Sequence, residues 1–283
     1  YHILDEKGIK MSKSLGNIIN PVDVLDQYGA EPFRLWIALE GNLSTTDLSC
    51  SFARIEGAGK TLTKFWNVAR FVGGFARPET KPVLQPLDHW ILGEMNRVVE
   101  RCRGGFEHYD YHTPSSALRN FLWETFASHY LELAKNRAYN EGNEFSPEAS
   151  AAARWTLHHI LDTLLLAFAP ILPLFTHYVY ASRHEKEVHA EPYPISHGFP
   201  PVDFTGDELM ALNSLIWKAK RESGGHLKTP LKTAILPTAF ASIEHDLKAA
   251  HSIQTLSSSD LDGMAGSVGQ IRRSAEILIA AAK

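Results

Sequence analysis

The chain has 283 residues, 44% of them apolar, 10% aromatic and 21% charged, which is enough to bury one or more cores and too apolar for a disordered segment. Its formal net charge of -4 at pH 7 supplies no global positive field, so any polyanion must be held by local clusters of cations. Two cysteines, Cys50 and Cys102, lack paired spacing; this speaks against a disulfide framework or a zinc knuckle and fits a reducing, cytoplasmic setting with no protein-bound metal.

The opening "YHILDEKG" reads as a strand entering a turn, and beginning there the chain is expected to be a piece of a longer one. No signal peptide is evident. Asn20 and Pro21 form a helix start and Gly29 a stop, giving a short helix Pro21 to Tyr28, followed by a second from Pro32 to Leu39. From Ser51 to Phe71 the residues Phe52, Ile55, Ala58, Leu62, Phe65 and Ala69 recur at threes and fours, one face of a helix ended by Gly73 and Gly74. The stretch "RPETKPVLQP", Arg77 to Pro86, holds three prolines without any period and is the expected linker.

Beyond it, Leu87, Ile91, Met95, Val98 and Cys102 predict a helix ending near Gly104, and Thr113 with Pro114 opens a long one reaching about Tyr139. Ser146, Pro147 and Glu148 start another that runs to about Pro170, and "ILPLFTHYVYAS" continues as a further helical piece. The most apolar run, Ile160 to Phe175, carries Asp162, Pro170 and Pro173 and falls short of the roughly 20 clean residues of a membrane span, so it reads as core. The tail alternates: helix Leu209 to Glu222, strand Thr233 to Leu236, helix Ser242 to Ala250, strand Ser252 to Leu256. The expected fold class is mainly α. Residues 1-76 form a loop and connecting helices, 77-200 an antiparallel helix bundle, and 201-283 a small α+β unit.

Short motifs mostly fail. "GAGKT" at Gly57 to Thr61 lacks the first glycine of a phosphate loop and sits in a helix, and "HEKEVH" spaces its histidines five apart where a zinc helix needs four. One motif survives. In "KGIKMSKSLGN", Lys7 to Asn17, two lysines flank small hydroxyl residues. Such a loop can close over a triphosphate, setting Lys10 and Lys13 against oxygens whose charge grows as pyrophosphate leaves, with Gly8 and Gly16 as hinges.

"GIKMSKSLGN" followed by "NPVDVLDQYGAEPFRLWIAL" resembles the signature loop and following helices of class I aminoacyl-tRNA synthetases. "KFWNVARFV", "LDHWIL" and "HYLELAKNRAY" are similar to the valyl branch more than to the isoleucyl or leucyl ones, and "GGHLKTPLK" resembles a segment shared by valyl and isoleucyl enzymes. The resemblance implies that Lys10, Met11, Ser12, Lys13 and Ser14 bind ATP, whose Mg2+ comes with the nucleotide, and that Lys10 and Lys13 are catalytic. It implies an anticodon-binding bundle and, in the intact enzyme, valine and tRNA(Val) as partners of a monomeric, cytoplasmic ligase. The family's "HIGH" motif and its editing domain are absent from these 283 residues, so the piece alone is expected to be inactive. An isoleucyl fragment and a non-catalytic RNA-binding helical module are the alternatives.

For RNA, Arg97 and Arg101 lie four apart on one predicted helix, Lys135 and Arg137 end another, and Lys218, Arg221, Lys228 and Lys232 cluster around the "GGHLKTP" turn. Trp123, His129, Tyr130 and Tyr139 are candidates for stacking on splayed bases.

Overall fold

A computed structural model describes residues 2–41, 47–222, 226 and 229–259. It is mainly α-helical, with two small parallel strand pairs among the described residues. Compactness groups the described residues into two units: those within 1–74, 95–123 and 158–197 form the first, and those within 75–94, 124–157 and 198–259 the second. The long helices of the bundle region each supply residues to both units, and the units therefore interleave along the chain instead of following one another.

In the first unit, β1 (Ile3–Leu4) pairs in parallel with β2 (Leu48–Ser49), a two-residue strand too short to leave a period in the sequence. Helix α1 (Pro21–Tyr28) starts where expected: the Asn20 side chain accepts from the Val22 N–H and Pro21 occupies the first turn. Helix α2 (Ala30–Glu40) buries Leu35 and Trp36 and packs on α3 (Phe52–Gly73), whose inward face includes Ile55, Ala58, Phe65 and Val72. Within this unit α2 is also tied to the turn between α7 (Pro147–Phe168) and α8 (Pro173–His184). The Glu31 carboxylate accepts from the Leu174 and Phe175 N–H groups at 3.2 Å each, satisfying donors left open by the first turn of α8. Arg34 donates from Nε to the Ile171 carbonyl at 3.0 Å and from Nη2 to that of Pro170 at 3.2 Å. Phe65 meets Phe168 and Phe175 with ring centroids 5.3 and 5.0 Å apart.

The predicted linker corresponds to the non-helical residues before α4 (Pro86–Glu107), and Asp88 caps that helix by accepting from the Gln85 N–H at 3.0 Å. The single helix expected from Thr113 to Tyr139 is realised in three parts: α5 (His112–Asn120), a π-helical stretch Phe121–Tyr130, and α6 (Leu131–Tyr139). Phe121, Phe126 and Tyr130, all at most 3% exposed, recur at fives and fours, which suits the wider turn.

In the second unit, α9 (Gly206–Glu222) is followed by β3 (Leu231–Pro237), α10 (Glu244–His251) and β4 (Ile253–Ser259). Strands β3 and β4 are parallel, with Leu231 opposite Ile253 and Leu236 opposite Ser258, so the expected α+β tail is a strand–helix–strand crossover. Helix α10 packs on α6. No described helix is long and apolar enough to cross a membrane.

Candidate functional site

The lysine loop is built on a small hairpin in the first unit. Asp5 accepts from the Lys7 and Ile9 N–H groups at 2.9 and 2.8 Å, which closes a turn at Gly8, where φ is +74°. Leu4 then bridges Lys10, and the Met11 N–H donates to the Ile3 carbonyl at 3.3 Å. After Met11 the chain makes a short 3-10 turn, Lys13–Leu15, capped by Ser12, whose hydroxyl accepts from the Leu15 N–H and lies 3.1 Å from that of Ser14. Gly16, at φ +64°, ends the turn.

Asn17 ties both ends of this loop together. Its Oδ1 accepts from the Ser12 N–H at 2.9 Å, and its Nδ2 donates to Asp5 Oδ2 at 3.0 Å and to the Lys10 carbonyl at 3.3 Å. The hydrogen bond from Asn17 foremost, and then that from the Ile9 N–H, hold the Asp5 carboxyl below its ordinary range. Lys10 and Lys13 are both exposed, and among the described residues neither ammonium is engaged in an ion pair. Two cations thus stand on a backbone that is fixed at its base and open at its tip. Sequence reasoning missed Asp5 and Asn17 as supports; the signal was there, a carboxylate two residues before Lys7 and an amide directly after a turn glycine. Beside the loop is a cleft of about 540 Å³ lined by Lys10, Met11, Ile18, Phe33, Trp36 and Leu48, among others.

The RNA candidates separate clearly. Arg97 and Arg101 are exposed on α4. Lys135 is partly buried and paired with Glu132 one turn away, and Lys218 pairs with Glu222 at 3.6 Å. Lys228 lies outside the described residues, as does the side chain of Lys232.

Arg137 is corrected from surface contact to core. It is 1% exposed, and its guanidinium donates to both oxygens of Asp88 at 2.7 and 2.9 Å, to Asp246 at 2.8 Å and to the Ala149 carbonyl at 3.0 Å. The physical reason is spacing: Tyr130, Leu133, Ala134, Arg137 and Ala138 form one stripe at threes and fours, and all are buried.

Two of the four aromatic candidates are core as well. Tyr130 is fully buried and donates its hydroxyl to Asp88 at 2.7 Å. His129 is stacked on Trp217 and sits 3.0 Å from the Asn213 side chain, with burial pulling its pKa down. Trp123 is half-buried, its indole N–H donating to Thr61 at 3.2 Å and the Lys64 ammonium 5.1 Å from its ring. Tyr139 is 50% exposed, edge-on to Phe75. Among the described residues no cluster of His, Cys, Asp or Glu could hold a metal ion.

Known proteins share both halves of this arrangement. Residues 88–235 match the family described as the anticodon-binding domain of tRNA ligase, and residues 2–49 that of class I tRNA synthetases (I, L, M and V). A valine–tRNA ligase of Pyrobaculum aerophilum is 35% identical over 257 residues, covering 88% of this chain and 32% of the relative. That of Aeropyrum pernix is 33% identical over 262 residues (88% and 31%), and that of Anaplasma marginale 34% over 235 (81% and 28%). The chain thus spans a third or less of the length of these curated relatives. Among solved structures, the ternary complex of Agrobacterium radiobacter K84 LeuRS with tRNA and LeuAMS superposes with a TM-score of 0.51 at 17% identity, over 82% of this chain and 25% of that one. At that identity the likeness is one of fold.

Proposed function

This chain belongs to the family of anticodon-binding domains of tRNA ligases, and from that premise we propose that it is the tRNA-binding and ATP-loop portion of a valine–tRNA ligase. The observation that carries the choice is the identity shared with valine–tRNA ligases over four fifths or more of this chain, which favours valine over isoleucine and a ligase part over a free-standing RNA-binding module. In this reading residues 1-76 supply the loop and stem-contact helices, 77-200 the anticodon bundle and 201-283 the terminal unit of a monomeric, cytoplasmic enzyme acting on ATP, valine and tRNA(Val).

The loop's task follows from charge. As a carboxylate attacks the α-phosphorus of ATP, negative charge moves onto the departing pyrophosphate, and a cation that meets that charge as it develops lowers the barrier. Lys13 takes this part, Lys10 supports it, and Ser12 and Ser14 shape the turn that presents them. Mg2+ arrives with the nucleotide. Asn17 and Asp5 keep the loop's base rigid, so that little ordering entropy is left to lose when it closes.

In the intact ligase, Lys13→Ala is expected to lower kcat for valine-dependent ATP–pyrophosphate exchange about 100-fold or more, with KM for ATP little changed. A change in KM alone would reduce Lys13 to ground-state binding. With the 283-residue chain, titration with tRNA transcripts tests the larger claim: binding falls with salt and favours a valine anticodon over an isoleucine one. Equal affinity for both would remove anticodon reading from this chain.

A further inference from the structure

The lysine loop is attached to the start of α3 by rungs that fall in register. The Leu48 N–H donates to the His2 carbonyl at 2.9 Å and the Cys50 N–H to that of Leu4 at 3.0 Å, which are rungs of the β1–β2 pair. Two residues further on in each segment, the Phe52 N–H donates at 3.1 Å to Oε1 of Glu6. A side chain thus makes the next rung where a backbone carbonyl would stand. Glu6 has no role in the function described so far, yet it lies inside the turn that leads to the lysines.

Helix α3 needs this partner. Phe52 is its first residue, and the Phe52 N–H is one of the donors that a helix leaves open at its start. Ser51 has the extended backbone of a cap, φ -132° and ψ 113°, but among the described residues its side chain makes no cap hydrogen bond, and the first turn holds no acid of its own. Two carboxylates from elsewhere in the chain meet the helix start instead: Glu6 on the Phe52 N–H, and Glu40 of α2 on the Arg54 guanidinium. Burial first, and then the charges of Glu6 and Glu40, push up the pKa of the Cys50 thiol just before the helix, so both carboxylates stand near this end.

This tie differs in kind from the clamp already described. Asp5 and Asn17 bind the loop to itself and set its internal shape, but not how that shape is placed on the unit. The rungs at His2 and Leu4 place β1, and both precede the turn, so the chain beyond them is free to tilt about Leu4. Glu6 follows them, between Asp5 and Lys7, and pins the turn to the helix. Aim matters here because a reacting group misplaced by about 1 Å can cost on the order of 100-fold in rate.

We propose that Glu6 is a positioning residue for amino-acid activation: by holding the N-terminus of α3, it aims the turn from which Lys10 and Lys13 meet the phosphates of ATP. The proposal rests on the reading that this loop serves ATP. Glu6 acts through the two lysines and does not itself touch the nucleotide. Those cations count most as charge develops on the departing pyrophosphate, so an error in their aim is felt in kcat and little in KM for ATP. The tie also makes α3 part of the mechanism, since whatever displaces its first turn displaces the lysines.

The test uses the intact ligase and valine-dependent ATP–pyrophosphate exchange. Glu6→Ala is expected to lower kcat about fivefold, the factor that one helix-cap hydrogen bond is worth, with KM for ATP changed by less than about twofold. Glu6→Gln, whose amide oxygen still accepts from the Phe52 N–H, should keep more than about half of the wild-type kcat. Ser51→Asp separates aiming from capping. Added to Glu6→Ala, it gives α3 a cap of its own and restores the melting temperature, while kcat should stay low because the loop is still untied. If kcat returns as well, Glu6 is only a helix cap and the proposal is overturned. It is overturned too if Glu6→Ala changes kcat by less than about 1.5-fold or acts on KM for ATP alone. Lys13→Ala in the same assay keeps the two levels apart: with Lys13 required and Glu6→Ala silent, the tie alone fails, whereas a silent Lys13→Ala would overturn the ATP-loop reading itself.

Discussion

Replacing Arg137 by alanine removes one side chain and leaves two carboxylates without their shared partner. Asp88 is fully buried and takes two of the guanidinium's donors; Asp246 is 6% exposed and takes a third. Breaking a buried pair from one side costs about 3–5 kcal/mol, because the orphaned charge keeps its desolvation penalty. An independent ceiling comes from protonation. A freed carboxylate escapes by binding a proton, and at pH 7 this costs about 1.36 kcal/mol for each unit down to an ordinary pKa near 3.9, or about 4 kcal/mol. Burial already pushes the Asp246 carboxyl upward with Arg137 present, so Asp246 takes up a proton at less than that cost.

The expected loss is therefore about 4 kcal/mol at pH 7, measured by urea unfolding of the 283-residue chain. The sign of the pH dependence follows. In the variant the folded carboxylate binds its proton more tightly than the unfolded one, so stability relative to wild type recovers as pH falls, and at pH 5.5 the same arithmetic leaves about 2 kcal/mol. Adding Asp88→Asn to Arg137→Ala places a neutral amide where the orphaned charge would stand, still able to accept from the Gln85 N–H, and should recover about half of the pH 7 loss. A loss under about 1 kcal/mol, or one that does not change between pH 7 and 5.5, would refute the account of a charged, buried Asp88.

Two further expectations concern other polar groups. His251 is fully buried, among the described residues neither ring nitrogen has a hydrogen-bond partner, and burial, with the nearby Lys220, pulls its pKa down to about 3. Between pH 6.5 and 3 the unfolded chain binds this proton and the fold does not, so stability falls by about 1.4 kcal/mol per pH unit across that window; His251→Phe should flatten that slope in unfolding titrations from pH 7 to 5. Asn17→Ala removes the foremost hydrogen bond lowering the Asp5 pKa, so the Asp5 carboxyl should titrate at a higher pH by NMR, and an unchanged midpoint would exclude Asn17 as the clamp of the lysine loop.

The helices were legible because their apolar faces repeat at threes and fours and their starts carry caps. Asn20 with Pro21, and Ser146 with Pro147, are local signals that tertiary contacts need not override. The π-helical stretch 121–130 was not legible, since apolar residues at fours and fives look like an ordinary helix face until the hydrogen bonds are seen. Arg137 shows a different limit. Composition assigns a cation at a helix end to the surface, yet Arg137 continues the stripe through Tyr130, Leu133 and Ala134 that the structure buries; what sequence could not supply was Asp88 and Asp246, 49 and 109 residues away. The lysine loop was legible as chemistry; the residue types of its supports, Asp5 and Asn17, stood in the sequence, but their mutual hydrogen bond across 12 residues is seen only in the structure.

The distance from Arg137 to Asp246 also sets a clock. At about 5–20 residues per second, a ribosome needs roughly 5–20 s to make the 109 residues that separate them. For that interval Arg137 can meet Asp88 but not its second carboxylate, and β3, once made, still waits for β4. The second unit can reach its final packing only after residue 259 has emerged, so its nascent form is the one most exposed to chaperones, to proteases and to misassembly.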